Sequence, residues 1–374
     1  MDTLDKDRVS NFFNEACQAF PINQNVASII VTHILPDRPF LLEALSRQTD
    51  LACVLAKPKS VHSKTKDWLS KSYPIEILRQ KFLDGPKTLE FINKKAKSQP
   101  LVLMDIGGYF SNVIGYLYEH YNGDIIGVIE DTENGHQKYE KQQNKCPIIS
   151  VARSPLKYPE DYMVGQSIVY STEALLREQG DIIHGRTACV IGYGKLGRSI
   201  ANLLHARHVR TVVYDINAIK VIEAMSHGFA VAKSLESALM ESGLVFCATG
   251  NIALEKSGFD HVQPGAYIAT VTSSDDELRL DDLSDYHRKQ VTDYITKYQK
   301  ESHYFYLLNR GQAVNFIHGA AVGPFIYLVQ AEILASIARC SNEGLEGGMI
   351  ENNSDLRAKI ASIWLDHFSP SFAK

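Results

Sequence analysis

The sequence predicts an α/β protein of two Rossmann-like, doubly wound parallel-sheet domains, with C-terminal helices packing back on the first. Three observations predict it. Short apolar runs alternate with helical patterns along the whole chain. A G-x-G-x-x-G turn stands near the middle, directly after a β-branched run and directly before a helical one. The length of 374 residues exceeds what one hydrophobic core usually serves.

The first half carries strand-like runs at 28–32, 51–55, 101–104, 125–129 and 148–151, separated by polar or helical segments. A long helical pattern at 167–179 ends in Gly180, a fitting C-terminal cap. Strands at 187–191, 211–214, 244–248 and 267–271 form a second set. The apolar, small-residue segment 315–339 and the amphipathic segment 354–368 predict two tail helices, with 342–354 a polar surface loop between them. The expected division is a substrate domain from 1–165 plus 320–374, a dinucleotide domain at 186–315, and a linker helix and hinge at 166–185.

Composition narrows the function classes. Hydrophobic content of 45% suits a globular chain, and a net charge of -4 without a basic, aromatic-interleaved stripe argues against nucleic acid as a partner. The acidic start, MDTLDKDRVSNFF, lacks the apolar run of a signal peptide, and no stretch approaches the length of a membrane span. A cytoplasmic protein without membrane contact is expected. Cys17, Cys53, Cys146, Cys189, Cys247 and Cys340 are scattered singly, and no histidine cluster accompanies them, so no metal is implied.

The segment TACVIGYGKLGRSIANLLHARHVRTVVYD carries the chemistry. Gly192 permits the tight turn, Gly194 lets the backbone approach a pyrophosphate, and Gly197 lets the helix pack on the strand. Lys195 and Leu196 open that helix, whose N-terminal N–H groups favour phosphate. Asp215, at the end of the next strand, can accept hydrogen bonds from the adenosine ribose and would repel a 2'-phosphate. The expected cofactor is NAD rather than NADP, with Lys220 close by.

GYGKLG and its following acid resemble the GYGDVG motif of the S-adenosylhomocysteine hydrolases, and further segments resemble that family in order. HILPDRPFLLEAL, from His33 to Leu45, is similar to its HMTVETAVLIETL segment, and MDIGG at Met104–Gly108 to its LDDGG turn. GVIEDTENG, from Gly127, resembles GxxEETTTG; the spacing from Pro147 to Asp161 matches the family's; and LLNRGQAVN, ending at Asn315, resembles LLAEGRLVN.

The resemblance implies an enzyme whose NAD oxidises a ribose 3'-hydroxyl, so that the 5' substituent can be eliminated and water added before the ketone is reduced. It implies catalytic roles for His33, Lys157 and Asp161, and substrate binding by Asp37 and Asp131. It implies cofactor contacts at Thr132, Thr249 and Asn315 beside the glycine-rich turn. A small-molecule nucleoside substrate and a homo-oligomer are expected.

The departures are specific. Ile106 stands where the family has the second aspartate of DDGG, and Tyr162 and Gln166 replace an asparagine and a cysteine. Ser273 replaces a histidine, and the histidine of the family's GHP segment falls near Val322 and Gly323, with His318 close by. The C-terminal FSPSFAK lacks the family's lysine- and tyrosine-bearing tail. Two other readings therefore stand beside the hydrolase. One is a catalytically weakened NAD-binding homologue with a regulatory role. The other is an ordinary NAD-dependent dehydrogenase, which would need a carboxylate-binding arginine and a His–acid pair, with Arg310 and His318 the nearby candidates.

Overall fold

The computed structural model describes residues 3–78, 84–272 and 277–369. It divides into two compact units, Met1–Lys157 with Gly323–Lys374, and Tyr158–Val322. The helix Tyr158–Glu178, which covers most of the segment read from sequence as a linker, groups with the second unit.

The first unit holds a seven-stranded, wholly parallel sheet. Its strands are β1 (Ala27–Ile34), β2 (Asp50–Val61), β3 (Ile75–Ile77), β4 (Leu101–Asp105), β5 (Ile125–Glu130) and β6 (Pro147–Ser150). The order is β3-β2-β1-β4-β5-β6, and a short late strand, Gly348–Ile350, pairs outside β6. β1, β4 and β6 are near-continuous apolar runs with almost every residue buried, as strands covered by helices on both faces must be. Ile30, Ile34, Val54 and Met104 belong to one core, and Ile29, Val31, Leu55 and Leu103 to the core on the opposite face.

The second unit repeats this winding. Its strands are β7 (Thr187–Ile191), β8 (Arg210–Tyr214), β9 (Ala230–Val231), β10 (Leu244–Cys247), β11 (Ala266–Thr270), β12 (His287–Thr292), β13 (Ile295–Lys300) and β14 (His303–Leu308). They order as β9-β8-β7-β10-β11-β14, with β13 and β12 added antiparallel at the edge; the late strand of the first unit is β15. In each sheet the order reverses between the first strand and the fourth, β1 and β4 in one unit and β7 and β10 in the other. Ligands of open α/β sheets bind at the carboxyl ends of strands flanking such a reversal.

Two expectations are corrected. Residues 315–339 are not one helix. Val314–His318 and Gly323–Phe325 are 3-10 turns, with Gly319 and Gly323 at positive φ, and the helix runs Ile326–Asn342. The loop expected at 342–354 contains β15, because Met349 and Ile350 add to the exposed edge of β6.

Both tail helices pack in the first unit, fastened by a buried acid. Glu332, fully buried on Ile326–Asn342, accepts from Arg357 Nε at 2.9 Å on the helix Ser354–Phe368, from Asn352 Nδ2 at 3.2 Å, and from the Ser154 hydroxyl. Arg357→Met should strand that carboxylate without its cation and cost about 3 kcal/mol of first-unit stability in denaturant titration, whereas an exposed pair such as Arg279–Glu255 should cost under about 1 kcal/mol.

Candidate functional site

The dinucleotide turn is assembled as the glycine spacing requires. Gly192 has φ +94°, and a Cβ there would lie 2.6 Å from the Ala248 carbonyl oxygen, at the switch point between β7 and β10. A Cβ on Gly197 would lie 1.9 Å from the Gly192 carbonyl oxygen, whereas one on Gly194 would meet open space. The open side of the turn is thus at Gly194, where a pyrophosphate is expected to approach. The helix Lys195–Ala206 starts there without a side-chain cap, leaving its first-turn N–H groups to a ligand. Leu196 is half-buried in the second core.

Asp215 braces this turn. One carboxylate oxygen accepts from Tyr193 N at 2.7 Å and the other from Asn217 N at 2.8 Å, leaving a lone pair on each for a ribose hydroxyl. The nearby cations face Glu223, which takes Arg198 and Lys220, each at 2.7 Å. These groups fit NAD.

Thr249 follows β10 against Gly192, and its position depends on a residue the sequence did not single out. Glu277, buried, accepts from Thr249 Oγ1 at 3.0 Å, Gly250 N at 2.8 Å and Thr272 Oγ1 at 3.1 Å. Asn315, buried, donates to Ser167 Oγ at 3.1 Å, and His318 Nδ1 contacts Ser171 Oγ at 2.8 Å. Asp161 lies in this unit, 3.3 Å from Lys195 Nζ, which also sits over the Tyr158 ring. Ser273 lies outside the described residues, as do residues 370–374 of the tail.

The first unit gathers the other predicted residues at its own switch point. His33 ends β1, and its Nδ1 contacts the Ser60 hydroxyl at the end of β2. Burial, with Lys57, Arg38 and Lys157 adding repulsion, holds the His33 imidazole well below its usual pKa, so the ring is neutral at pH 7. Lys157, buried, donates to Asp131 Oδ1 at 3.0 Å, just after β5. Asp37 accepts from Gln330 Nε2 at 3.0 Å and lies 3.5 Å from Arg38. Thr132 also lies here rather than in the dinucleotide unit. Its hydroxyl donates to Glu130 at 2.7 Å and accepts from Gly135 N, capping the helix Glu133–Glu140. Ile106 buries its side chain in the core, leaving its carbonyl to accept from Lys57 Nζ at 3.2 Å.

Lys57, Ser60 and Glu130 escaped the sequence reading. The first two lie beyond the expected end of β2, which runs to Val61 instead of stopping near Leu55. Glu130 is fully buried and accepts from Gly107 N at 3.1 Å, Gly108 N at 2.9 Å and Thr132 N at 2.7 Å. Its strand neighbour Asp105 accepts from Phe110 N at 2.9 Å and the Tyr139 hydroxyl at 2.8 Å. Burial, and then Asp105, push the Glu130 carboxyl up to about 8, and burial pushes Asp105 up too.

The folded pair therefore binds more protons than the unfolded chain from the ordinary glutamate range up to about pH 8, and stability falls as pH rises through that window. Thermal unfolding should show a first-unit midpoint declining from about pH 5 to about pH 8. Glu130→Gln should flatten that decline while lowering the midpoint overall.

Residues 161–322 match the family described as S-adenosyl-L-homocysteine hydrolase, NAD binding domain. An adenosylhomocysteinase of Pyrococcus abyssi is 27% identical over 293 residues, covering 74% of this chain and 68% of that protein. One of Sulfolobus acidocaldarius is 26% identical over 348 residues, covering 89% and 79%. An S-inosyl-L-homocysteine hydrolase of Methanopyrus kandleri is 25% identical over 257 residues, covering 65% and 59%. Together with the glycine turn, the bracing acid and the order of the sheet, these matches make the chain similar to the S-adenosylhomocysteine hydrolases, with a second unit that matches their NAD-binding domain and NAD as its cofactor.

Proposed function

We propose that the protein is an NAD-dependent enzyme that oxidises a ribose hydroxyl of a nucleoside of the S-adenosylhomocysteine class, with elimination and hydrolysis at C5'. The observation that carries this reading is the buried Lys157–Asp131 pair at the carboxyl end of the first sheet, within electrostatic reach of a neutral His33. Bound NAD supplies the oxidant for the sugar carbon. Everything else falls to side chains of this chain.

Asp131, with two oxygens and one of them on Lys157, retains acceptor capacity for ribose hydroxyls. Lys157 Nζ holds the 3'-hydroxyl and takes part in moving its proton. Asp161, which pairs with Lys195 in the second unit, is a further catalytic carboxylate by the family resemblance. His33, whose Nδ1 contacts the Ser60 hydroxyl, exchanges a proton near the leaving group. Asp37 and its Gln330 partner bind a more distant part of the substrate. Ile106 offers no ionisable side chain to the elimination step, so oxidation is expected to outpace complete hydrolysis.

Two measurements test the reading. NAD should bind at least about tenfold more tightly than NADP in calorimetry, a margin that Asp215→Ala should erase. Adding adenosine to the NAD-loaded protein should raise the absorbance of reduced nicotinamide, and Lys157→Ala should slow that change by about 10² or more with NAD affinity unaltered. No reduction with any of a panel of adenosine derivatives would favour the regulatory homologue.

A further inference from the structure

β6 ends at Ser150, and the chain then reaches Lys157 through a single 3-10 turn, Pro155–Lys157, which is too short to fix its own position and whose proline brings no N–H to it. Ser154, fully buried, fastens this turn. Its N–H donates to the Val151 carbonyl at 3.0 Å, its carbonyl accepts from Lys157 N at 3.0 Å, and its hydroxyl oxygen accepts from Leu156 N at 3.1 Å. The hydroxyl proton goes to Glu332 Oε2.

Glu332 is in turn held from its other oxygen. Fully buried on the helix Ile326–Asn342, it accepts at Oε1 from Arg357 Nε at 2.9 Å and from Asn352 Nδ2 at 3.2 Å, and Asn352 Nδ2 also donates to Ser336 Oγ at 2.8 Å on the same helix as Glu332. Arg357 belongs to the tail helix Ser354–Phe368. Within the first unit, then, a chain of hydrogen bonds runs from the tail helix through Glu332 and Ser154 to the backbone of Lys157, whose Nζ lies 3.0 Å from Asp131 Oδ1. A buried carboxylate engaged at both oxygens rigidifies what it joins.

We propose that Ser154 and Glu332 are positioning residues for Lys157, and that the tail helix, through Arg357, sets where the Lys157 ammonium stands against Asp131. The catalytic consequence rests on the nucleoside reading above. The positioning does not. Reacting groups must be held close to their productive geometry, and a displacement of about 1 Å can cost about 10² in rate, so a hydroxyl that never meets substrate governs the rate through the lysine it places.

The test takes the two claims separately. In the full chain without nucleoside, acetylation of individual lysines by acetic anhydride is followed by mass spectrometry. Lys157, buried and paired, should label at least about tenfold faster in Ser154→Ala and in Glu332→Gln than in the unaltered protein, while Lys95, paired with Glu76 at 2.6 Å in the same unit, should change by less than about twofold. In NAD-loaded protein given adenosine, Ser154→Ala should lower the maximal rate of nicotinamide reduction by at least about tenfold and leave the half-saturating adenosine concentration within about threefold. Ser154→Thr, which keeps the hydroxyl, should retain the rate to within about threefold. Because the two residues act in series, the double variant Ser154→Ala, Glu332→Gln should be no slower than the slower single variant.

Faster labelling of Lys157 in protein that reduces no NAD with any nucleoside keeps the positioning and overturns the nucleoside reading. Unchanged labelling of Lys157 in both variants, or equal acceleration of Lys95 as the whole unit loosens, overturns the positioning. Losses of rate that multiply in the double variant overturn it as well.

Discussion

Parallel strands that end at a switch point leave turn N–H groups without ladder partners, and in this protein a buried glutamate satisfies them in each unit. Glu130 gathers the turn after β4 and Glu277 the turn after β10, and both follow or end the fifth strand of their sheet. An unpaired buried N–H costs about 1–3 kcal/mol, so these carboxylates keep the turns from opening. They also fix what stands in front of the turns: Ile106, Asp131 and Thr132 in one unit, Gly192 and Thr249 in the other. Gly135 shows how tightly the first is packed, since a Cβ there would lie 2.1 Å from the Glu130 carboxyl carbon.

The central strands were legible in the sequence because burial on both faces writes them as apolar runs, and the dinucleotide turn because glycine is required where backbone approaches backbone. The edges were not. β12, HRKQVT, is exposed along nearly its whole length and carries no apolar alternation, and β9 and β15 are two and three residues long. The break in the apolar segment at 315–339 was hidden for a different reason. Its residues are apolar enough for a helix, and the positive φ angles of Gly319 and Gly323 that interrupt it become visible only in three dimensions.

The candidate site divides the same way. His33, Asp131 and Lys157 converge on one switch point and Gly192, Asp215 and Thr249 on another, whereas Thr132 serves as a helix cap beside the first. Lys57 had no sequence signal, because a lysine near the end of a strand is usually a solvated one. Its Nζ reaches the carbonyl of Ile106, a position at which the sequence departs from the resemblance.

The proposed function stands most directly on whether the protein oxidises a ribose hydroxyl. Adenosine deuterated at C3', incubated in stoichiometric amount with the NAD-loaded protein, tests this by mass spectrometry of both small molecules. The account predicts deuterium transferred to the nicotinamide ring, and a nucleoside lighter by the atoms removed in forming a 3'-ketone. A cofactor recovered unlabelled beside unchanged adenosine, from protein verified to contain NAD, would contradict it.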